Sequence, residues 1–167
     1  MKVISESKIK EAITGFLVNF PFFDGLNEEQ LSIVAEHIDF YEMEKDEILF
    51  NEGDVGNCVY FIIEGELHII KETLSANKIG VEKVIISTLS KGKSIGEMSV
   101  IDNIPRSATV KSRTKVRLVA LSQKDFQLIL EEHPRIGNVI FKGIARLLSL
   151  NLRKTSSRLA DYMLPVS

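Results

Sequence analysis

Residues 96–110 read GEMSVIDNIPRSATV and place a glutamate and an arginine among small residues. Glu97 follows a glycine, and Arg106 stands between a proline and a serine. Glycine and alanine let a backbone come close to a ligand, an arginine offers a planar set of donors to phosphate oxygens, and a carboxylate can accept a hydrogen bond from a ribose hydroxyl. The stretch therefore predicts a pocket for a phosphorylated sugar, as in a nucleotide.

This stretch lies in a segment, residues 39–121, that is made of short apolar or alternating runs. Turns that contain glycine separate the runs, among them Gly53-Asp54, Glu64-Gly65 and Lys91-Gly92-Lys93. Short runs with such turn signals are typical of an antiparallel barrel or sandwich. We therefore expect strands at residues 48–50, 59–63, 67–70, 84–86, 109–110 and 116–121.

Helical periodicity precedes and follows this segment. Residues 1–38 predict two short helices, the second capped by Asn27 and running through Ile38. Residues 122–162 predict a helix capped by Ser122 and then a longer one of about 25 residues, from Ile136 to Leu159. The stripes that carry these predictions are Ile9, Ile13, Phe16, Leu17 and Phe20 at the start, and Ile136, Ile140, Ile144, Leu148 and Leu152 at the end.

Composition limits the class of protein. A chain of 167 residues with 44% apolar and 26% charged residues fits a single globular domain over residues 1–167. The net charge of −2 argues against a protein that wraps nucleic acid over its whole surface. The single cysteine, Cys58, excludes an internal disulfide. No apolar run approaches the roughly 20 residues that span a bilayer, and residues 1–10 lack the apolar core of a secretory signal, so we expect a soluble, cytoplasmic protein.

The C-terminal residues 133–167 are basic, with six basic side chains and one acidic one. Such a segment could contact nucleic acid or anionic lipid. The sequence favours a solvated helix face, because the charges are interspersed with the apolar stripe. The basic residues are Arg135, Lys142, Arg146, Arg153, Lys154 and Arg158.

The ordered glycines at 53, 65, 92 and 96, together with Ile95–Ser99 and Pro105–Val110, resemble the cyclic nucleotide-binding domain family. The resemblance extends from about Phe22 to Leu159 and includes the sensor domain of bacterial regulators of the catabolite activator protein type. It implies a mainly β fold: an antiparallel β-roll, or double-stranded β-helix, which is a jelly-roll-like barrel. N-terminal helices and a long C-terminal helix would flank this roll.

The resemblance also implies roles for residues. Glu97 would accept the ribose 2′-hydroxyl, Arg106 would pair with the cyclic phosphate, and Ser107 would donate its hydroxyl and backbone N–H. Other members of this phosphate cassette, residues 95–110, would give close contact: Gly96, Met98, Ser99 and Ala108. The base would meet Ile69, Ile86 and Leu89 on the barrel wall and Asn151 on the long helix, with Thr155 as the alternative to Asn151.

Serine at position 107 favours cyclic AMP (cAMP), with cyclic GMP (cGMP) as the alternative ligand, because related proteins that prefer guanine carry threonine there. We expect no metal, since His37, His68 and His133 lack metal-ligand spacing. No catalytic arrangement is present around Glu97, so binding without turnover is favoured. The long helix predicts signalling by movement and a homodimer.

Three alternatives stay open at this point. Glu97 and Arg106 could form an ordinary exposed ion pair. The fold could serve as a ligand-free protein-interaction scaffold. The chain could also be the sensor half of a transcription regulator that lacks its helix-turn-helix, because it ends at Ser167 and leaves no length for one.

Overall fold

The computed structural model describes residues 2–3, 7–74, 80–102 and 104–163. The chain starts with strand β1 (Lys2–Val3), helix α1 (Ser7–Leu17), a 3₁₀ helix (Pro21–Phe23) and helix α2 (Glu28–Ala35). Strands β2 to β6 follow, at Ile38–Met43, Ile48–Phe50, Cys58–Glu64, Glu66–Leu74 and Val81–Ser90. The chain continues with β7 (Ser94–Ile95), a second 3₁₀ helix (Glu97–Val100), β8 (Thr109–Ser112), β9 (Val116–Ser122), α3 (Gln123–Glu132) and α4 (Pro134–Met163).

The strands form two antiparallel sheets. One has the order β1-β2-β9-β4-β7, and the other has the order β3-β8-β5-β6. The predicted architecture, a mainly antiparallel β fold with helices before it and a long helix after it, is confirmed. The phosphate cassette lies in the connection between β7 and β8, which belong to different sheets.

The helix caps predicted from the sequence are confirmed, but one helix boundary was wrong. The Asn27 side chain accepts from the Gln30 N–H at 2.9 Å, and Ser122 accepts from the Asp125 N–H at 3.0 Å. Helix α2 ends at Ala35, and Ile38 is the first residue of β2, where it pairs with Leu121 of β9. Antiparallel pairing over the whole of β2 outweighs the helical spacing of Ile38.

Several elements were not predicted. The sequence runs did not include β1, β2 or β7, and the predicted helical segment 1–38 contains β1, whose Lys2 pairs with Glu42. The remaining helical stripe at the start falls within α1 and the residues after it, although the side chain of Ile9 lies outside the described residues. Short edge strands are set by their partners, which local spacing does not reveal.

Strand β4 separates two apolar cores and is buried on both faces. Its Val59, Phe61 and Ile63 face the helices, and Tyr60 and Ile62 face the interior of the roll, as the two-residue period of a strand requires. Three phenylalanine rings lie against Phe61 with centroids 4.8–5.2 Å away, and they belong to Phe20, Phe22 and Phe23. The β-roll and its helices are therefore packed as one body.

Helix α4 is held close to the roll in its first half. A Cβ at Gly143 would overlap the carbonyl oxygen of Phe22, so only glycine allows this approach. The stripe residues Ile136, Ile140 and Ile144 are buried, whereas Leu152 is 68% exposed. Within the described ranges, no helix has both the length and the apolar character needed to cross a membrane.

Candidate functional site

The cassette begins with a backbone conformation that glycine allows. Gly96 has φ of +84° and precedes the 3₁₀ helix of Glu97–Val100. This confirms the single helical turn that the sequence indicated for these residues. The turn carries Glu97 and Ser99 on one short element, and Arg106 follows on the connection to β8.

Arg106 is a buried cation, with only 6% of its surface exposed. Its Nη1 donates to Ser99 Oγ at 2.9 Å and to the Gly96 carbonyl at 3.4 Å, and its Nη2 donates to the Cys58 carbonyl at 2.9 Å. Glu97 is not among these acceptors. The alternative of an exposed Glu97–Arg106 ion pair is therefore wrong for this structure.

Two glycines and an aromatic ring shape the space around Arg106. A Cβ at Gly56 would overlap Arg106 Nε and Ser99 Oγ, and a Cβ at Gly96 would overlap Arg106 Nη1. The guanidinium carbon lies 4.1 Å from the centroid of the Phe50 ring, a cation–π contact. The side chain is thus fixed in one place by bare backbone on one side and a ring on another.

The hydrogen-bond potential of Arg106 is incomplete. Burial lowers its pKa, yet an arginine keeps its charge in proteins. Among the described side chains, Arg106 Nε is the buried polar atom without a hydrogen-bond partner. A buried cation that has only neutral acceptors and a free donor is energetically costly and would be compensated by an anion.

Glu97 lies beside this cation and contacts the long helix. Its Oε1 accepts from Asn151 Nδ2 at 3.0 Å. Burial raises the pKa of Glu97, although its hydrogen bonds and the nearby Arg106 act in the opposite direction. The Thr155 hydroxyl donates to the Asn151 carbonyl at 2.9 Å, so Thr155 serves the helix backbone. Of the two candidates on α4, Asn151 is the one that reaches the cassette.

Two adjoining cavities contain this chemistry. The first, of about 230 Å³, is lined by Arg106, by Ile69 and by the rest of the predicted cassette residues: Gly96, Glu97, Met98, Ser99, Ser107 and Ala108. The second, of about 440 Å³, lies under α4 and is lined by Leu89 and Asn151 among others. Ile69, Ile95 and Glu97 line both. The structure thus brings together every predicted site residue except Ile86.

Ile86 is 54% exposed and lines neither cavity. Strand β6 pairs with β5 through Ser87 opposite Ile69 and Ile85 opposite Ile70, so the register shift between them leaves Ile86 without a partner position. A β-bulge changes which side chains share a face. The alternation of apolar residues in the sequence does not show this irregularity.

Sequence reasoning missed Phe50 and Gly56 as parts of the site. Phe50 was predicted only as a strand residue, and Gly56 was not singled out. Both act on Arg106 through contacts over about 50 residues of chain, for which the sequence gives no local signal. Within the described residues, no group of histidine, cysteine or acidic side chains is arranged to hold a metal ion.

The family model described as "Cyclic nucleotide-binding domain" matches residues 41–133. Among curated proteins, the cAMP-dependent protein kinase regulatory subunit of Yarrowia lipolytica is 27% identical over 116 residues, which are 70% of this chain and 29% of that protein. This chain spans less than a third of the length of the first curated relatives that it matches.

Solved structures share the fold. A cyclic nucleotide-binding domain from Methylobacillus flagellatus has a TM-score of 0.79 and 28% identity, covering 94% of this chain and 85% of that chain. The regulatory domain of Toxoplasma gondii PKA with cAMP has a TM-score of 0.62 and 28% identity, covering 75% of this chain and 46% of that chain. The Thermus thermophilus catabolite activator protein, at 24% identity, shows the same fold with a TM-score of 0.73 over 84% of this chain and 62% of that chain.

The fold and the matched residues agree. The family match covers more than half of the chain, from β2 to the end of α3, and includes the whole cassette with Arg106. The resemblance inferred from the ordered glycines and the cassette is confirmed. The chain belongs to the cyclic nucleotide-binding domain family.

Proposed function

We propose that this regulatory domain binds cAMP in the first cavity and signals its presence through α4. The observation that carries the proposal is the buried Arg106, whose Nε has no partner and whose charge has no ion-pair partner among the described residues. A cyclic phosphate carries one negative charge and several acceptor oxygens. It is matched to one guanidinium in a small cavity.

The other groups of the ligand have partners nearby. Glu97 would accept the ribose 2′-hydroxyl, and the Ser107 hydroxyl and N–H would donate to the phosphate, since both residues line the first cavity with Arg106. The purine would pass from Ile69, which lines both cavities, towards Leu89 and Asn151 in the second. In this arrangement the base lies under α4.

The choice of cAMP rests on relatives and on one residue. The Yarrowia relative is named for dependence on cAMP, and the Toxoplasma structure contains it. Serine at position 107 lacks the threonine methyl that the sequence resemblance associates with guanine, so cGMP is the second candidate. The arrangement holds a phosphate among neutral donors and a guanidinium, which suits binding without turnover.

We predict that Arg106→Ala lowers the affinity for cAMP by more than about thirtyfold, since removing one partner of a buried charge pair costs about 2–5 kcal/mol. Glu97→Ala should lower it by about tenfold, through loss of one hydrogen bond. Isothermal titration calorimetry with cAMP and with cGMP measures both effects. Arg113→Ala, which removes an exposed arginine paired with Glu66, is the matched control and should not change the affinity.

Unchanged affinity in folded Arg106→Ala would contradict the assignment of the phosphate site. If wild-type protein gives no binding heat with either nucleotide, the ligand-free scaffold is favoured instead. Circular dichroism of each variant establishes that the fold is retained.

A second prediction concerns pH and Glu97. Burial raises the pKa of this carboxyl, so the folded protein holds its proton to a higher pH than the unfolded chain does. The free energy of unfolding then falls as the pH rises through the folded-state pKa of Glu97. Glu97→Gln cannot ionise, so it should raise the melting temperature of the unliganded protein at pH 7. The difference should disappear below about pH 4, where the unfolded carboxyl is protonated as well.

The same Glu97→Gln variant should bind cAMP more weakly, which would separate stability from function at one residue. Differential scanning calorimetry across this pH range makes the measurement. A melting temperature at pH 7 below that of the wild type would mean that ionised Glu97 stabilises the free protein, which is the opposite of the expected effect.

The proposed signal passes through the contact between Glu97 and Asn151. Asn151 and a ribose hydroxyl would be donors to the same carboxylate, so ligand binding alters the hydrogen bond that joins α4 to the cassette. The base would also fill the cavity that Gly143, Leu147 and Leu150 line. A ligand shifts the position of the helix only through such differences in contact.

We predict that saturating cAMP slows amide hydrogen exchange in residues 143–154, because the nucleotide adds contacts to the inner face of α4. Asn151→Ala should speed exchange there in the unliganded protein. Hydrogen exchange read by mass spectrometry tests both. Residues 81–86, at the exposed start of β6, are the internal reference. No change in α4 on saturation would contradict signalling through this helix, and the predicted homodimer remains a prediction.

A further inference from the structure

The second cavity is bordered by three cations that the phosphate site at Arg106 does not use. They are Lys93 in the turn before β7 and Arg146 and Lys154 on α4. Two carboxylates also line it, Asp24 and the partly shielded Glu97. Positive side chains therefore outnumber negative ones around a cavity of about 440 Å³ that opens beside the cassette.

These cations differ from those on the sheets. On the roll, six basic side chains form ion pairs with neighbouring carboxylates: Lys71, Lys83, Lys111, Arg113, Lys115 and Arg117. Within the part of the chain that the structure describes, Lys93, Arg146 and Lys154 have no such pair. Their charge is left available to whatever occupies the cavity.

The helix directs two of them inwards. The residues of α4 that line the cavity recur at helical spacing, from Gly143 through Leu147 and Asn151 to Lys154. Arg146 and Lys154 are eight residues apart and share this face with apolar side chains. A solvated face, as the sequence indicated for all six basic residues, accounts for Lys142 and Arg158 but not for two cations on the face that covers a cavity.

We propose that the second cavity binds a second phosphate of the ligand, so that the protein binds a cyclic dinucleotide more tightly than a cyclic mononucleotide. The inference rests on the proposed function, because the first phosphate is the one at Arg106. Lysine and arginine are the side chains that bind phosphate. A purine in the second cavity would use Leu89 and Ile69 and would leave the three cations without an anionic partner.

The two cavities are arranged for one extended ligand. They share Ile69, Ile95 and Glu97, so a molecule can occupy both without crossing a wall of the protein. The ribose held by Glu97 would stand at the junction, with one phosphate on Arg106. The second nucleoside and its phosphate would lie under α4, between Lys93 of the roll and Arg146 and Lys154 of the helix.

The test compares cAMP with 3′,5′-cyclic di-AMP, which repeats the same nucleoside and adds one phosphate. Isothermal titration calorimetry uses the full chain and the triple variant Lys93→Gln, Arg146→Gln, Lys154→Gln. The control variant Lys91→Gln, Lys142→Gln, Arg153→Gln removes two lysines and one arginine that lie outside this cavity. Arg106→Ala should abolish binding of both nucleotides.

The wild type and the control should bind cyclic di-AMP about tenfold more tightly than cAMP, since three exposed charge contacts each contribute up to about 1 kcal/mol. The triple variant should lose this preference while its affinity for cAMP stays within about twofold of the wild type. If cAMP binds but cyclic di-AMP binds no more tightly, or if the triple variant weakens both equally, the second phosphate site is wrong and the proposed function stands. If neither nucleotide binds the wild type, the proposed function itself fails.

Discussion

The structure depends on a buried guanidinium that has no counter-ion among the described residues. Arg106 is held by the carbonyls of Cys58 and Gly96 and by the hydroxyl of Ser99, while its Nε remains unpaired. Neutral acceptors fix the position of the charge without cancelling it. The fold therefore carries an uncompensated positive charge inside a cavity, and the rest of the site follows from where that charge is placed.

Placing the charge there constrains distant parts of the chain. The Cys58 carbonyl is at the start of β4, and Gly56 precedes that strand with no room for a Cβ beside the arginine. Strand β4 in turn carries Phe61, which packs against the phenylalanines between α1 and α2. Because Gly143 of α4 lies on the backbone of Phe22, the long helix is positioned from the same strand that orders Arg106.

A single hydrogen bond joins this core to the part that can move. Asn151 reaches Glu97 at 3.0 Å, while the chain beyond residue 148 is exposed. A carboxylate whose burial raises its pKa is a group that the unliganded fold holds at some cost. A ligand hydroxyl that donates to Glu97 would act on stability, on binding and on the position of α4 at once.

Much of this arrangement could be predicted from the sequence, and the exceptions have physical reasons. Glu97 and Arg106 are close in the chain and carry distinctive small neighbours, so local patterns reveal them. Asn151 lies 54 residues from Glu97 and was placed only through a family resemblance. Ile86 was misplaced because a bulge shifts the register of β6, and Phe50 was not found because its contact with Arg106 exists only in the folded chain.

The most direct test of this account is a crystal structure of the protein with cAMP bound. The account predicts a cyclic phosphate oxygen within hydrogen-bond distance of Arg106 Nε, with the ribose 2′-hydroxyl donating to Glu97. A nucleotide bound elsewhere, with Arg106 Nε still unpaired, would contradict it.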